Sequence, residues 1–146
     1  MHILACKCTE KWANWAPLVL RIALGVIFTW HGYDKLFVKG IPMTTGFLGS
    51  IGIPLPGLMA YIVSYGELVF GLFLILGFLT HWASKFALVV ALVAFFTVHV
   101  ANGFSIQSGG YEFIILIGAA AFSLMITGAG KYSVDAQWFG KHKPHA

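Results

Sequence analysis

The sequence predicts an all-α integral membrane protein, a bundle of four transmembrane helices. Three observations lead there. Of its 146 residues, 59% are hydrophobic and only 10% charged, with a mean hydropathy of +0.85; a soluble domain carries about 25% charged residues. The apolar residues gather into four runs, each approaching the ~20 residues that cross a ~30 Å hydrocarbon core. The few ionisable residues inside those runs fall mostly toward one side of the membrane.

Taken in order, residues 1–15 form a short N-terminal segment carrying Cys6 and Cys8, the only cysteines. A C-x-C pair is too close for a relaxed disulfide framework and lacks the further ligands of a zinc site, so it reads as two reduced thiols. The first span covers about 17–37 and begins at Pro17, suited to a helix start because a first-turn N–H has no partner to lose. It is longer than a signal-peptide core and no A-x-A site follows, so it is expected to be retained. The stretch 38–56 is rich in Gly and Pro. Within it Phe47, Leu48 and Ile51 form one face of an expected interfacial helix. The second span covers about 57–79. Thr80-His81 is expected to be a tight turn, making spans two and three an antiparallel hairpin. The third span covers about 82–101, a short Gly/Ser loop follows over 102–109, and the fourth and shortest span covers about 110–127. Residues 16–127 thus form one membrane domain, and 128–146 a basic tail in which Trp138 and Phe139 suit the headgroup level.

The net charge of +4 and pI near 9.2 do not indicate nucleic acid, because the basic residues are few and lie at the ends of apolar runs. Lys7, Lys11, Arg21, Lys85, Lys131, Lys141 and Lys143 fall on one side, Lys35 and Lys39 on the other. The positive-inside rule then puts both termini in the cytoplasm of a bacterial or archaeal plasma membrane. No phosphate-binding loop, dinucleotide fingerprint, H-E-x-x-H or serine elbow occurs, so neither a nucleotide nor a metal cofactor is expected. His31 and His99 with Glu67 or Glu112 match no recurrent metal-ligand pattern.

The ionisable groups carry the functional signal. A charge at membrane depth costs roughly 2.5–3.5 kcal/mol on insertion scales, and such groups usually face a bundle interior and mark a site. His31 and Lys35, four residues apart, share a helix face. At ~1.5 Å rise per residue, Glu67 near the centre of span two is reachable from His31, while His99 ends span three and Glu112 starts span four. These five are expected to converge in the outer half of the bundle. Arg21 lies roughly 15 Å below His31 and is expected to snorkel to the headgroups; Asp34 is expected to act as a loop or capping group. Histidine titrates near neutrality and relays protons. With Phe28, Trp30, Tyr33, Tyr65, Phe70 and Phe96 as candidate lining, the pocket suits an aromatic carbonyl headgroup such as a quinone. The alternative is that the same groups are buried pairs setting helix register.

The segment Arg21-Ile-Ala-Leu-Gly-Val-Ile-Phe28 running into His31-Gly32-x-x-Lys35 resembles the first span of the DoxX family. Gly52-Ile-Pro-Leu-Pro56, Glu67 with Gly71, His99 before Asn102-Gly103-Phe104, Gly109-Gly110-Tyr111-Glu112 and Gly128-Ala-Gly-Lys-Tyr-Ser-Val-Asp135 follow in the family's order. The resemblance implies a four-span inner-membrane protein, similar to the quinone-linked membrane subunit of thiosulfate:quinone oxidoreductase. It implies Arg21, His31, Lys35, Glu67, His99 and Glu112 as a polar core. That enzyme uses a further partner portion not found in these residues, so thiosulfate oxidation is not expected of this polypeptide alone. The expected role is a quinone-interacting component of a membrane redox complex. Glu67, His31 and His99 would move protons, Lys35, Glu112, Arg21 and Tyr33 would bind the headgroup, a redox partner would supply electrons, and assembly as an oligomer is compatible. The rivals are a non-catalytic scaffold that recruits a redox or stress-response enzyme, and a small-molecule carrier.

Overall fold

The computed structural model describes residues 15–138; the cysteines, Lys7, Lys11, Phe139, Lys141 and Lys143 lie outside them. The described residues are helical, without a strand. Helix α1 (Trp15–Tyr33) continues into a π turn over Asp34–Val38, and α2 (Gly40–Ser50) follows at once. Helix α3 (Pro56–Leu76) and α4 (Thr80–Ala94) form an antiparallel hairpin, and α4 continues through a π turn, Phe95–His99, and a 3-10 turn, Val100–Asn102. A loop with one 3-10 turn (Ile106–Ser108) leads to α5 (Glu112–Thr127), and α6 (Val134–Trp138) closes the described chain. Three helical stretches, Trp15–Val38, Pro56–Leu76 and Thr80–Asn102, are long and apolar enough to cross a membrane. Helix α5 has 16 residues, about 24 Å. Its C-terminal carbonyl at Met125 bonds Nδ1 of His81, in the first turn of α4, at 3.0 Å, so α5 matches nearly the full height of α4.

Burial is inverted relative to a soluble bundle. Large side chains such as Val26, Trp30, Leu58, Leu72, Val89 and Leu116 face outward. The core is built from Leu24, Phe28, Leu74, Ile117 and Leu124 around Ala83, Ala87, Ala91 and Ala121. Lipid is as apolar as leucine, so membrane helices associate by close packing of small residues and by polar contacts. The α1–α3 seam takes this furthest. A Cβ on Gly32 would lie 2.3 Å from the backbone N of Leu68, and one on Gly71 2.5 Å from the backbone N of Thr29.

The end of the bundle near Arg21 is closed by polar contacts. Helix α3 ends in a Schellman motif. The Phe78 N–H donates to Phe73 O (2.9 Å), the Gly77 N–H to Leu74 O (3.2 Å), and Gly77 is left-handed at φ 69°. The Phe73 and Phe78 rings meet edge-on at 5.0 Å, supplying the apolar contact of that motif. Arg21 is fully buried, and its Nη1 donates to the carbonyls of Leu74 (3.0 Å), which it shares with the Gly77 N–H, and Ile75 (3.1 Å), its Nη2 to Tyr132 O (2.5 Å). Arg21 therefore does not snorkel: backbone carbonyls at the end of α3 and at Tyr132 lie within reach, and bonding them takes the place of a trip to the headgroups. Asp135 accepts from the N–H groups of Leu79 (2.8 Å) and Thr80 (2.9 Å) at the start of α4. Those bonds hold Leu79 in a left-handed conformation, φ 46°, that a leucine rarely adopts. The α3–α4 turn is thus 77–79, with Thr80 already helical; the expected Thr80-His81 turn falls two residues late because a cap from distant Asp135 starts the helix early.

Two outcomes check this packing. Gly32→Ala and Gly71→Ala each push a methyl into backbone, and each is expected to lower stability by about 1–3 kcal/mol in a detergent unfolding titration; Gly46→Ala, inside α2 with nothing within 4 Å, should not lower the midpoint and should gain up to about 1 kcal/mol. Asp135→Ala is expected to cost about 1–2 kcal/mol through lost capping, and hydrogen exchange should show the rise in opening first at Leu79 and Thr80.

Candidate functional site

At the opposite end from Arg21 the chain builds a second polar group, this one open to a cavity. Regular α-helix would continue past Tyr33, but the turn over Asp34–Val38 widens by one residue, marked by the Lys39 N–H donating to Asp34 O at 2.8 Å. A π turn re-aims the side chains it carries and often sits at a functional site. Here it carries Lys35, whose Nζ forms a hydrogen-bonded ion pair with Oε2 of Glu67 on α3. The Glu67 side chain is 5% exposed and that of Lys35 22%. Asp34 pairs with Lys39 at 2.6 Å on the surface, so it is an ion-pair partner within the turn and not a cap.

The pair borders a half-open cavity of about 450 Å³ lined by α1 to α5. His31 and His99 also line it, and the rest of the wall is apolar apart from Thr97, with Phe28 from α1, Met59 and Val63 from α3, Phe86 and Val90 from α4, and Ile117 from α5. Helix α2 covers one side through Phe47 and Leu48, and Ile51 just beyond it. The face expected to lie at the interface therefore faces the cavity as well. His99 sits in the second π turn, and its Nδ1 is bonded to Gly109 O at 2.7 Å.

Four of the expected site residues, His31, Lys35, Glu67 and His99, are thus brought to one cavity. Three are not. Arg21 is held at the other end by the carbonyls described above. Tyr33 points outward, its ring between Trp30 and Phe37 at centroid distances of 5.9 and 5.2 Å. Glu112 opens α5 outside the cavity and takes part in no ion pair among the described residues. Of the six aromatic residues expected to line the pocket only Phe28 does; Trp30, Tyr65 and Phe96 are among the most exposed rings, as lipid-facing bulk. Glu67 pairs with Lys35 where the depth count placed it within reach of His31, because the π turn carries Lys35 across the seam. Sequence reading missed Phe47 and Phe86 as wall residues and Asp135 as a cap. For Phe86 the signal was Gly66, whose Cβ would meet the Phe86 ring at 2.3 Å. Among the described residues no three His, Cys, Asp or Glu side chains are grouped as a metal would need.

The fold and site define a polytopic α-helical membrane protein with a charged pair set in an apolar cavity. The DoxX family model matches residues 16–100. CatD of Bacillus subtilis (strain 168), whose name assigns it provisionally as an oxidoreductase, is 32% identical over 81% of this chain and 83% of its own length. The inner membrane protein YqjF of Escherichia coli (strain K12) is 30% identical over 86% and 94%. A Haemophilus influenzae protein with no activity in its name is 32% identical over 90% and 97%. The chain belongs to the DoxX family. No solved structure matches it.

Removing one member of a buried ion pair strands the other charge. Lys35→Met is expected to destabilise the protein by about 3 kcal/mol, and the double change Lys35→Met with Glu67→Leu to recover most of that loss. A double-mutant cycle in detergent, read by unfolding midpoints, measures the coupling; additive losses would show that the two groups do not interact.

Proposed function

We propose that this protein is a quinone-interacting component of a membrane redox complex in the bacterial inner membrane. The observation that carries the reading is the Lys35–Glu67 pair at the edge of a mostly apolar cavity, with His31 and His99 on the same walls. A binding site for a small apolar ring with polar edges combines an apolar lining with a few placed polar groups, and this cavity has that make-up. Lys35, held in place by Glu67, would donate to one oxygen of the headgroup, and the two histidines and Glu67 would carry protons. Electrons would come from a partner, because no cofactor-binding motif occurs in the sequence. The relatives support the setting: one has oxidoreductase in its name and another inner membrane. Lys85, Lys131 and Arg21 gather at one end of the bundle and Lys35 and Lys39 at the other, which favours the Arg21 end facing the cytoplasm, and with it both termini.

One observation favours the rival scaffold role: Lys35 and Glu67 satisfy each other without a ligand. The readings separate in purified full-length protein. Quinone is expected to co-purify, and a titration with a short-chain ubiquinone to saturate in wild type and weaken about ten-fold or more in Glu67→Gln, the worth of one charge-assisted hydrogen bond. Absence of bound quinone together with a flat titration would leave the scaffold.

A further inference from the structure

The cavity is closed on one flank and open on another. Toward α1 and α5 its wall is Phe28 and Ile117, both buried, with Ile27 and Ile114 beside them. Between α3 and α4 its wall is Ile62, Val89 and Val93, which are 48, 57 and 44% exposed. A side chain that lines a cavity and is also half exposed stands at its mouth. The mouth begins where the α3–α4 hairpin stops being zipped. From the 77–79 turn as far as Phe86 the two helices touch: the Phe70 and Phe86 rings lie 4.8 Å apart, and a Cβ on Gly66 would be 2.3 Å from the Phe86 ring. Beyond that contact Met59 and Ile62 on α3 and Val89 and Val93 on α4 border open space. Among the described residues no hydrogen bond or ion pair joins the two helices there. The polar side chain on the α4 rim, Thr97, donates its hydroxyl to Val93 O at 2.8 Å within its own helix. Gly66 is ten residues from either end of α3, roughly 15 Å from each. The mouth therefore starts at mid-height of the span and faces hydrocarbon.

We infer that the cavity is loaded sideways from the bilayer through this mouth, and that its ligand carries a hydrocarbon tail that stays in it, between Ile62 on one side and Val89 and Val93 on the other. This rests on the quinone reading above and deepens it by naming the route and the tail. Glu67 follows Gly66 directly, so one residue step, about 100° around the helix axis, leads from the sill of the mouth to the charged pair. A head held at Lys35 extends back across the cavity toward α4. Whatever leaves through the mouth lies in lipid, where a polar substituent would be stranded without partners. A hydrocarbon chain loses nothing there and gains nothing either, because lipid is as apolar as the rim. Ile62, Val89 and Val93 thus determine specificity by the space they leave open and not by attraction.

The test uses the full chain in lipid nanodiscs, titrated with decylubiquinone and with its tailless dimethoxy-methyl-benzoquinone head, both counted per lipid so that partitioning does not enter. Wild type is expected to bind both. Ile62→Trp combined with Val93→Trp fills the mouth and is expected to weaken decylubiquinone about ten-fold or more, the scale of an over-packing penalty, while the tailless head keeps its affinity. Leu116→Trp, a lipid-facing change on α5 away from the mouth, should alter neither. A decylubiquinone with a diazirine in its tail reads the mouth in wild type without any substitution: irradiation is expected to label Ile62, Val89 or Val93, and this result decides should the double variant bind neither ligand. Unweakened decylubiquinone in the double variant, or labelling confined to other residues, overturns the inference and leaves a quinone site standing. Binding of neither ligand to wild type overturns both.

Discussion

A charge inside a bilayer has to be satisfied by protein, and the α1–α3 seam is where this chain meets that demand twice. Near one end Arg21 reaches across to the terminal carbonyls of α3; further along the seam Lys35 reaches across to Glu67. The fourteen-residue step from Arg21 to Lys35 corresponds to roughly 21 Å of helix. Neither contact forms unless the two backbones come close, and glycines at 25, 32 and 71 permit that approach. The rest is arranged around this clamp. Helix α2 folds back from the Lys35 end, the α3–α4 turn and the 132–136 segment pack on the Arg21 end, and α4 and α5 add a second layer of alanine-rich contacts.

The two charged groups serve opposite ends although the chemistry that places them is the same. Arg21 donates to three carbonyls and is wholly buried, so nothing can approach it. It replaces the water that the end of α3 would otherwise need. Lys35 and Glu67 satisfy each other and remain at the edge of a space large enough for a small molecule, with two histidines beside them. Access separates a structural charge from one that can take part in chemistry, and access is a property of the fold.

That is why the sequence was legible in some places and opaque in others. Hydropathy places the four apolar runs because each backbone group in lipid must be bonded within its own helix. Ionisable residues in those runs stand out against a composition that tolerates few of them, so His31, Lys35, Glu67 and His99 could be found from sequence. Which residues share a cavity could not. Arg21 and Glu112 sit in apolar runs as Lys35 does, and only the pairing of helix ends distinguishes them. The aromatic residues misled, since in a membrane protein large rings turn toward lipid as readily as toward the core, and Trp30 or Phe96 carries no mark of which way it faces. The cap from Asp135 to Leu79 and Thr80 spans more than fifty residues and has no local signature.

The two π turns join these themes. Both lie at the cavity end of a long helix, and each holds one of its polar groups, Lys35 in the first and His99 in the second. An extra residue in a helical turn sacrifices regular hydrogen bonding, which is a cost in lipid, where water cannot replace a lost bond. Each departure is compensated by a contact that needs it. The first turns Lys35 across the glycine seam to Glu67; the second brings His99 to the Gly109 carbonyl. Had both helices stayed regular, the residues after each turn would be rotated by about 100° around the axis, and the spacing read from sequence would have been the true one. The irregular turns move the polar groups off the helix surface and onto one cavity, where they face α2 on one side and the 102–110 loop on the other.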